Sequence, residues 1–101
     1  MAVPDFHRLA AAEVAEAVLW YARRSPTVAQ RLLLELDAAL GQAEQWPESL
    51  PVALEAAGGT FRKARLTRFP FALIYRATSR GIRVVALAHC KRRPLYWRRR
   101  A

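Results

Sequence analysis

No aspartate or glutamate occurs after Glu55. Catalysis by a pair of carboxylates, or by a carboxylate-held metal, would therefore have to draw its acids from the first half of the chain. Cysteine is nearly absent as well. Cys90 stands alone, which excludes an internal disulfide and points to a reducing compartment. With His7 and His89 it completes the soft ligands, at no spacing that suits a metal, so neither a metal nor another cofactor is expected. Glycine is scarce, and Gly58-Gly59 lies outside any phosphate-cradling pattern. No apolar run approaches the ~20 residues of a membrane span. The opening MAVPDFHRLA lacks a charged start followed by a long apolar stretch, so no secretory signal is read, and the expected location is cytoplasmic, with no membrane partner. Neither an internal repeat nor a low-complexity linker interrupts the chain.

What is present is a chain of 101 residues, 53% hydrophobic, the size and composition of one globular domain over residues 1–101. Its charge is divided unevenly. The segment Gly59 to Ala101 holds 13 of the 17 basic residues, and the first 58 residues hold the other 4 with all 8 acidic ones. The halves thus carry roughly +13 and −4, which sum to the net +9. Such asymmetry predicts a positive face aimed at an anionic partner.

Read in order, Val3 to Arg8 predicts a short first strand, at an edge because Pro4 donates no ladder hydrogen bond. Leu9 to Arg24 is helical: Ala11, Val14, Val18 and Tyr21 form one stripe, widened by Ala15, Leu19 and Ala22, with no capping side chain at Arg8 or Leu9. Glu13 and Glu16 early and Arg23 and Arg24 late match the helix dipole. Ser25 caps a second helix and Pro26 suits its first position. Val28, Leu32, Leu36, Ala39, Leu40 and Ala43 then recur until Trp46-Pro47 stops the pattern. The two helices predict an antiparallel hairpin with one apolar face. Glu48 to Gly59 reads as a loop, with room for a short helical turn around Val52 to Ala57. Three strands follow: Phe61 to Arg68, with Ala64 and Leu66 on one side and Lys63 and Arg65 on the other; Phe71 to Ala77; and Ile82 to Cys90, after a turn at Thr78 to Gly81. The last is apolar on both faces, with Ile82, Val84, Ala86 and Ala88 on one and Val85 and Leu87 on the other. It therefore predicts a central strand. The helices cover one face only, so the other needs a tail, a second copy or a different protein. The fold class is α+β: a short N-terminal strand and a helical hairpin packed on a C-terminal antiparallel β-meander.

The chemistry left open is that of cations. Lys63, Arg65, Arg68, His89, Lys91, Arg92 and Arg93 lie on the predicted strands or at their ends, where they can hold phosphates by charge-assisted hydrogen bonds. A metal-free nuclease would add His89 or Tyr96 as base and use Arg92 against the charge of a pentavalent phosphate. Structural readings stand beside these. Lys63 and Arg65 suit a solvated strand face, and His89 a structural hydrogen bond. Cys90 and Tyr75 suit the core. Trp20, Tyr21 and Trp46 suit packing between helices and sheet, and Arg98-Arg99-Arg100 a flexible tail. Lys91-Arg92-Arg93 differs, because three adjacent cations past a strand end repel one another unless an anion is near.

Three strings carry a resemblance. They are Arg68-Phe69-Pro70-Phe71-x-x-x-Tyr75-Arg76, then Gly81-Ile82-x-Val84-x-Ala86-x-Ala88-His89, then Lys91-Arg92-x-Pro94 with Trp97. Together with the upstream hairpin, over nearly the whole chain, they resemble the RelE/ParE toxin superfamily, in particular its ParE-like, plasmid-stabilisation branch. That branch commonly has an FPY-x-x-x-Y strand and an H-G-R-R-D-P ending. Here Cys90 and Arg93 stand in place of the Gly and Asp of that ending. The resemblance implies a strand, a helical hairpin and an antiparallel meander. It also implies a type II toxin whose cognate antitoxin wraps it with an acidic and apolar segment, as a homodimer or a toxin–antitoxin hetero-oligomer.

The superfamily divides in activity. ParE-like members inhibit DNA gyrase and are not enzymes; RelE-like members cut mRNA on the ribosome without a metal. The resemblance places Lys63, Arg65 and Arg92 on basic positions of the RelE-like site, and Tyr96 near its tyrosine. Ala72 stands where that site carries an arginine, which removes one phosphate-stabilising cation. The leading expectation is a gyrase inhibitor acting by protein–protein contact through Arg68, Lys91, Arg92, Arg93 and Trp97. The alternatives are an mRNA endonuclease using Lys63, Arg65, Arg92 and His89 or Tyr96, or a basic nucleic-acid-binding module without toxicity.

Overall fold

A computed structural model of the chain describes residues 4–100. The order of elements is β1 (Asp5–Phe6), α1 (Arg8–Ala22), α2 (Pro26–Gln45), β2 (Val52–Ala56), β3 (Gly59–Arg65), β4 (Phe71–Thr78) and β5 (Gly81–His89). The five strands form one sheet in the order β1-β5-β4-β3-β2. β1 runs parallel to β5, and every other neighbour is antiparallel. The expected α+β arrangement is present. β1 is shorter than the sequence predicts, and Val3 lies outside the described residues.

Each helix has a local reason to begin where it does. α1 is capped by His7, whose Nδ1 accepts from the Leu9 amide at 3.1 Å, a cap the sequence reading missed. Its buried residues are Ala10 and Ala17, with Val14, Val18 and Tyr21 packed beside them, while Ala11 is exposed. The acids and bases expected at its ends are not in its first and last turns. Glu13 turns to the sheet instead, and Arg24 lies over the Trp20 ring at 3.5 Å. α2 begins as predicted: Ser25 accepts from the Val28 amide and Pro26 takes the first position. Ala29, Leu32, Leu36, Ala39 and Ala43 form its buried stripe.

The segment expected as a loop, Glu48 to Gly59, contains β2, which pairs with β3 through a tight turn at Ala57-Gly58. Gly59, at φ 140°, takes a conformation closed to other side chains. Between α2 and β2, the Pro47 carbonyl accepts from the phenol of fully buried Tyr75, and burial pushes that phenol's pKa up against the nearby Arg62.

Two cores flank the sheet. The helices cover Ala64, Leu66, Leu73, Tyr75, Ile82, Val84 and Leu87. On the other face Phe61, Ile74, Val85 and Ala86 pack with Trp97, Leu95 and Tyr96. The chain's own C-terminal strap is therefore what covers the second face. The split of β5 also corrects the predicted one. Ile74 pairs with Ala86 and Tyr75 with Val84, so Val85 is an extra residue, a β-bulge that shifts the alternation by one. Ala86 and Ala88 face the strap with Val85, and Leu87 joins Ile82 and Val84 under the helices. Trp20 and Trp46, expected between helices and sheet, are half exposed or more; only Tyr21 of that set packs inward, edge-on to Phe69.

Candidate functional site

The strap and the sheet enclose a groove of about 320 Å³. β3 lines it with Lys63 and Arg65, which share the face of Phe61 because strand side chains alternate. β4 contributes Phe71 and Ala72, β5 Ala88 and His89, and the strap Arg92, Arg93, Leu95, Tyr96 and Trp97. Register places Ala72 between Arg65 and Ala88, so the middle of the floor is a methyl group. None of the lining residues is acidic. Lys63 is half-buried, and neither it nor Arg65 nor Arg93 has an ion-pair partner among the described residues.

The predicted site residues divide. Lys63, Arg65, His89, Arg92, Arg93 and Tyr96 converge on the groove. Arg68 does not: it lies in the β3–β4 connection, where its amide and that of Thr67 donate to Glu35 of α2. Lys91 is exposed outside the groove. Trp97, expected as a contact residue, is 3% exposed and packs on Phe61 with ring centroids 5.2 Å apart, so it supports the groove from below. Cys90, expected in the core, is exposed.

The groove's hydrogen bonds restrict its chemistry. His89 Nδ1 accepts from the Lys91 amide at 3.1 Å and the ring stands edge-on to Phe71, so one nitrogen is committed to the turn. The Tyr96 phenol donates to Glu13 at 2.7 Å. Burial above all, then the bond to Glu13 and its charge, hold the Tyr96 proton far above the usual phenol range. That suits a structural donor and not a base. Arg98-Arg99-Arg100 is no free tail: Arg100 is folded back onto Glu13 at 2.8 Å, and both side chains are 12% exposed.

Sequence reasoning missed Glu13. It lies three residues after Ala10 and four before Ala17, both buried, so it falls within α1's apolar stripe. A carboxylate inside such a stripe was the available signal. Beside it a second cleft of about 350 Å³, lined by Glu13, Glu16, Trp20 and Tyr21, shares Phe71, His89 and Arg92 with the groove. Among the described residues, no cluster of three or more His, Cys, Asp or Glu could hold a metal ion. None of their helices is long and apolar enough to cross a membrane.

A helical hairpin on one face of a mixed five-stranded sheet and a groove lined by Lys63, Arg65, Arg92 and Arg93 on the other define a small α+β protein with a positively charged cleft. A sequence model of the ParE toxin of type II toxin–antitoxin systems, parDE, matches residues 5–94, and the chain belongs to that family. Its fold is similar to that of a solved structure described as the chromosomal ParDE TA system from P. aeruginosa, with a TM-score of 0.71 and 19% identity over 90% of this chain and 98% of that one. No curated protein matches the sequence.

Proposed function

We propose that this protein is the toxin of a type II pair, that it acts by binding DNA gyrase, and that a cognate acidic antitoxin neutralises it. One observation carries the reading: the groove gathers Lys63, Arg65, Arg92 and Arg93 with no acid in its lining. A surface of this kind attracts carboxylate-bearing partners and steers their approach. The strap is anchored by buried Trp97 and by Arg100 on Glu13, and such pre-organisation favours protein–protein contact. The test is inhibition of supercoiling by the purified protein. Replacing Arg92 and Arg93 with Ala is expected to weaken inhibition and growth arrest on induction while the protein stays folded, since both side chains are exposed. Wild-type protein that leaves supercoiling untouched would overturn the reading.

A second reading rests on the same convergence, because Lys63, Arg65, His89, Arg92 and Tyr96 are also what a ribosome-dependent mRNA endonuclease would use. It stands second because Ala72 leaves the middle of the floor without a cation, Tyr96 is tied to Glu13, and one nitrogen of His89 is occupied. Toeprinting of translating ribosomes decides: A-site cleavage would promote this reading above the first.

A further inference from the structure

Glu13 accepts more hydrogen bonds than its place on a helix requires. Oε1 receives the Leu87 amide at 3.1 Å and Arg100 Nη1 at 2.8 Å. Oε2 receives the Tyr96 phenol at 2.7 Å, Arg100 Nη2 at 3.2 Å and Arg92 Nη1 at 3.4 Å. The topology explains the first set. β1 ends at Phe6, opposite Val84, so that edge of β5 continues without a strand beside it. Val85 is the bulged residue, and its carbonyl accepts from Arg100 at 2.9 Å. Glu13 and Arg100 thus supply the acceptor and donor that a longer β1 would have offered.

The second set reaches the groove. Arg92 lies over the Tyr96 ring at 4.1 Å while its guanidinium meets Glu13, so a half-exposed cation is held by a ring and an anion at once. The strap carrying it leaves β5 after His89 and turns at Leu95, whose φ of 58° is a left-handed conformation that a leucine adopts only when its surroundings impose it. Trp97 in the second core and Arg100 on Glu13 are the two anchors beyond that point.

We propose that Glu13, a residue of α1 outside the groove, is a positioning residue for it. Its carboxylate pins the C-terminal strap against β5 and fixes where the charge of Arg92 is presented. What the groove then contacts rests on the function proposed above; the pinning does not. Without the carboxylate, Arg92 and Arg100 lose their shared counter-ion, and the strained turn at Leu95 is free to relax.

The experiment uses Trp97 as reporter in the full chain with Trp20→Phe and Trp46→Phe, both exposed in the native protein. Glu13→Gln keeps an acceptor for the Leu87 amide and removes the charge. Acrylamide quenching of Trp97 is expected to rise severalfold in Glu13→Gln and in Arg100→Ala, and no further in the double variant. Quenching as low as in the parent overturns the pinning. Where Glu13→Gln fails to fold, Arg100→Ala carries the test alone, because it removes both the cation on the carboxylate and the donor to the Val85 carbonyl; a Trp97 shielded as in the parent then overturns it. Positioning is read separately, in the otherwise native chain. The protein needed for half-inhibition of supercoiling is expected to rise on the order of tenfold in Glu13→Gln and in Arg92→Ala, with the double variant no worse than Arg92→Ala alone. Fully additive losses overturn the positioning role. If the wild-type protein does not inhibit supercoiling, the gyrase reading falls, and the same comparison is scored as growth arrest on induction.

Discussion

Trp97 holds the strap to the sheet by burial. Its indole packs on Phe61 and shares a core with Ile74, Val85 and Ala86. Removing a buried aromatic side chain of this size costs about 3–5 kcal/mol. A loss of 1 kcal/mol lowers the melting temperature of a domain this small by roughly 4–8 °C, so Trp97→Ala is expected to melt more than ten degrees early by circular dichroism. Trp97→Phe keeps most of the volume and is expected to retain growth arrest on induced expression. Loss of arrest at an unchanged melting temperature would mean that the indole touches the target after all. The residue also shows what a sequence withholds. A tryptophan after Lys91-Arg92-Arg93-Pro94 has the composition of a contact surface, and only the return of the strap over the second face shows it to be core. Glu13 is the converse: its interior position could be read from Ala10 and Ala17, but its partners lie more than seventy residues away.

At the scale of elements, legibility followed how local the causes were. α2 could be read nearly whole, because Ser25, Pro26 and a stripe of period 3.6 are all signals within one segment. β2 could not. Val52-Ala53-Leu54-Glu55-Ala56 has no strict alternation, and it is a strand because β3 offers it an edge. The β5 split failed for a similar reason, since one bulge at Val85 inverts every side chain after it. The start of α1 was missed because histidine is an uncommon cap, and that cap makes the element sensitive to pH. His7 Nδ1 accepts the Leu9 amide only while unprotonated. Its pKa is lowered by desolvation first, then by Arg83, Arg100 and Arg8, with Glu13 opposing. The folded pKa thus lies below the unfolded value of 6.5, so the stability gained from the neutral ring is complete above pH 6.5 and is lost as pH falls through the depressed native value. Urea midpoints measured from pH 8 to 5 are expected to decline on the acid side. His7→Asn, which caps without titrating, is expected to remove that part of the decline; an identical pH profile in the variant would refute the assignment.

Across the whole molecule the question is whether the positive charge forms a site or a diffuse field. Three of the 13 cations after Gly59 are paired with acids of the first half: Arg83 with Asp5, and Arg92 and Arg100 with Glu13. The other ten have no ion pair among the described residues, in a body only 22 Å thick along its shortest axis. Their mutual repulsion falls as salt shortens the screening length, which is about 10 Å at 0.1 M, so any salt is expected to stabilise the fold somewhat. A groove adds a second effect that screening does not. A divalent anion seated among Lys63, Arg65 and Arg93 binds the folded state alone and stabilises it by mass action, about 1.4 kcal/mol at ten times its dissociation constant. Sodium sulfate is therefore expected to raise the melting temperature several degrees beyond sodium chloride at equal ionic strength. Lys63→Ala with Arg65→Ala is expected to shrink the excess to what the exclusion of sulfate from any protein surface supplies, and to keep the part common to both salts. Equal effects of the two salts on the wild-type protein would show a field without a seat, and the contact surface would then have to be sought among the exposed cations outside the groove, at Arg68, Lys91, Arg98 and Arg99.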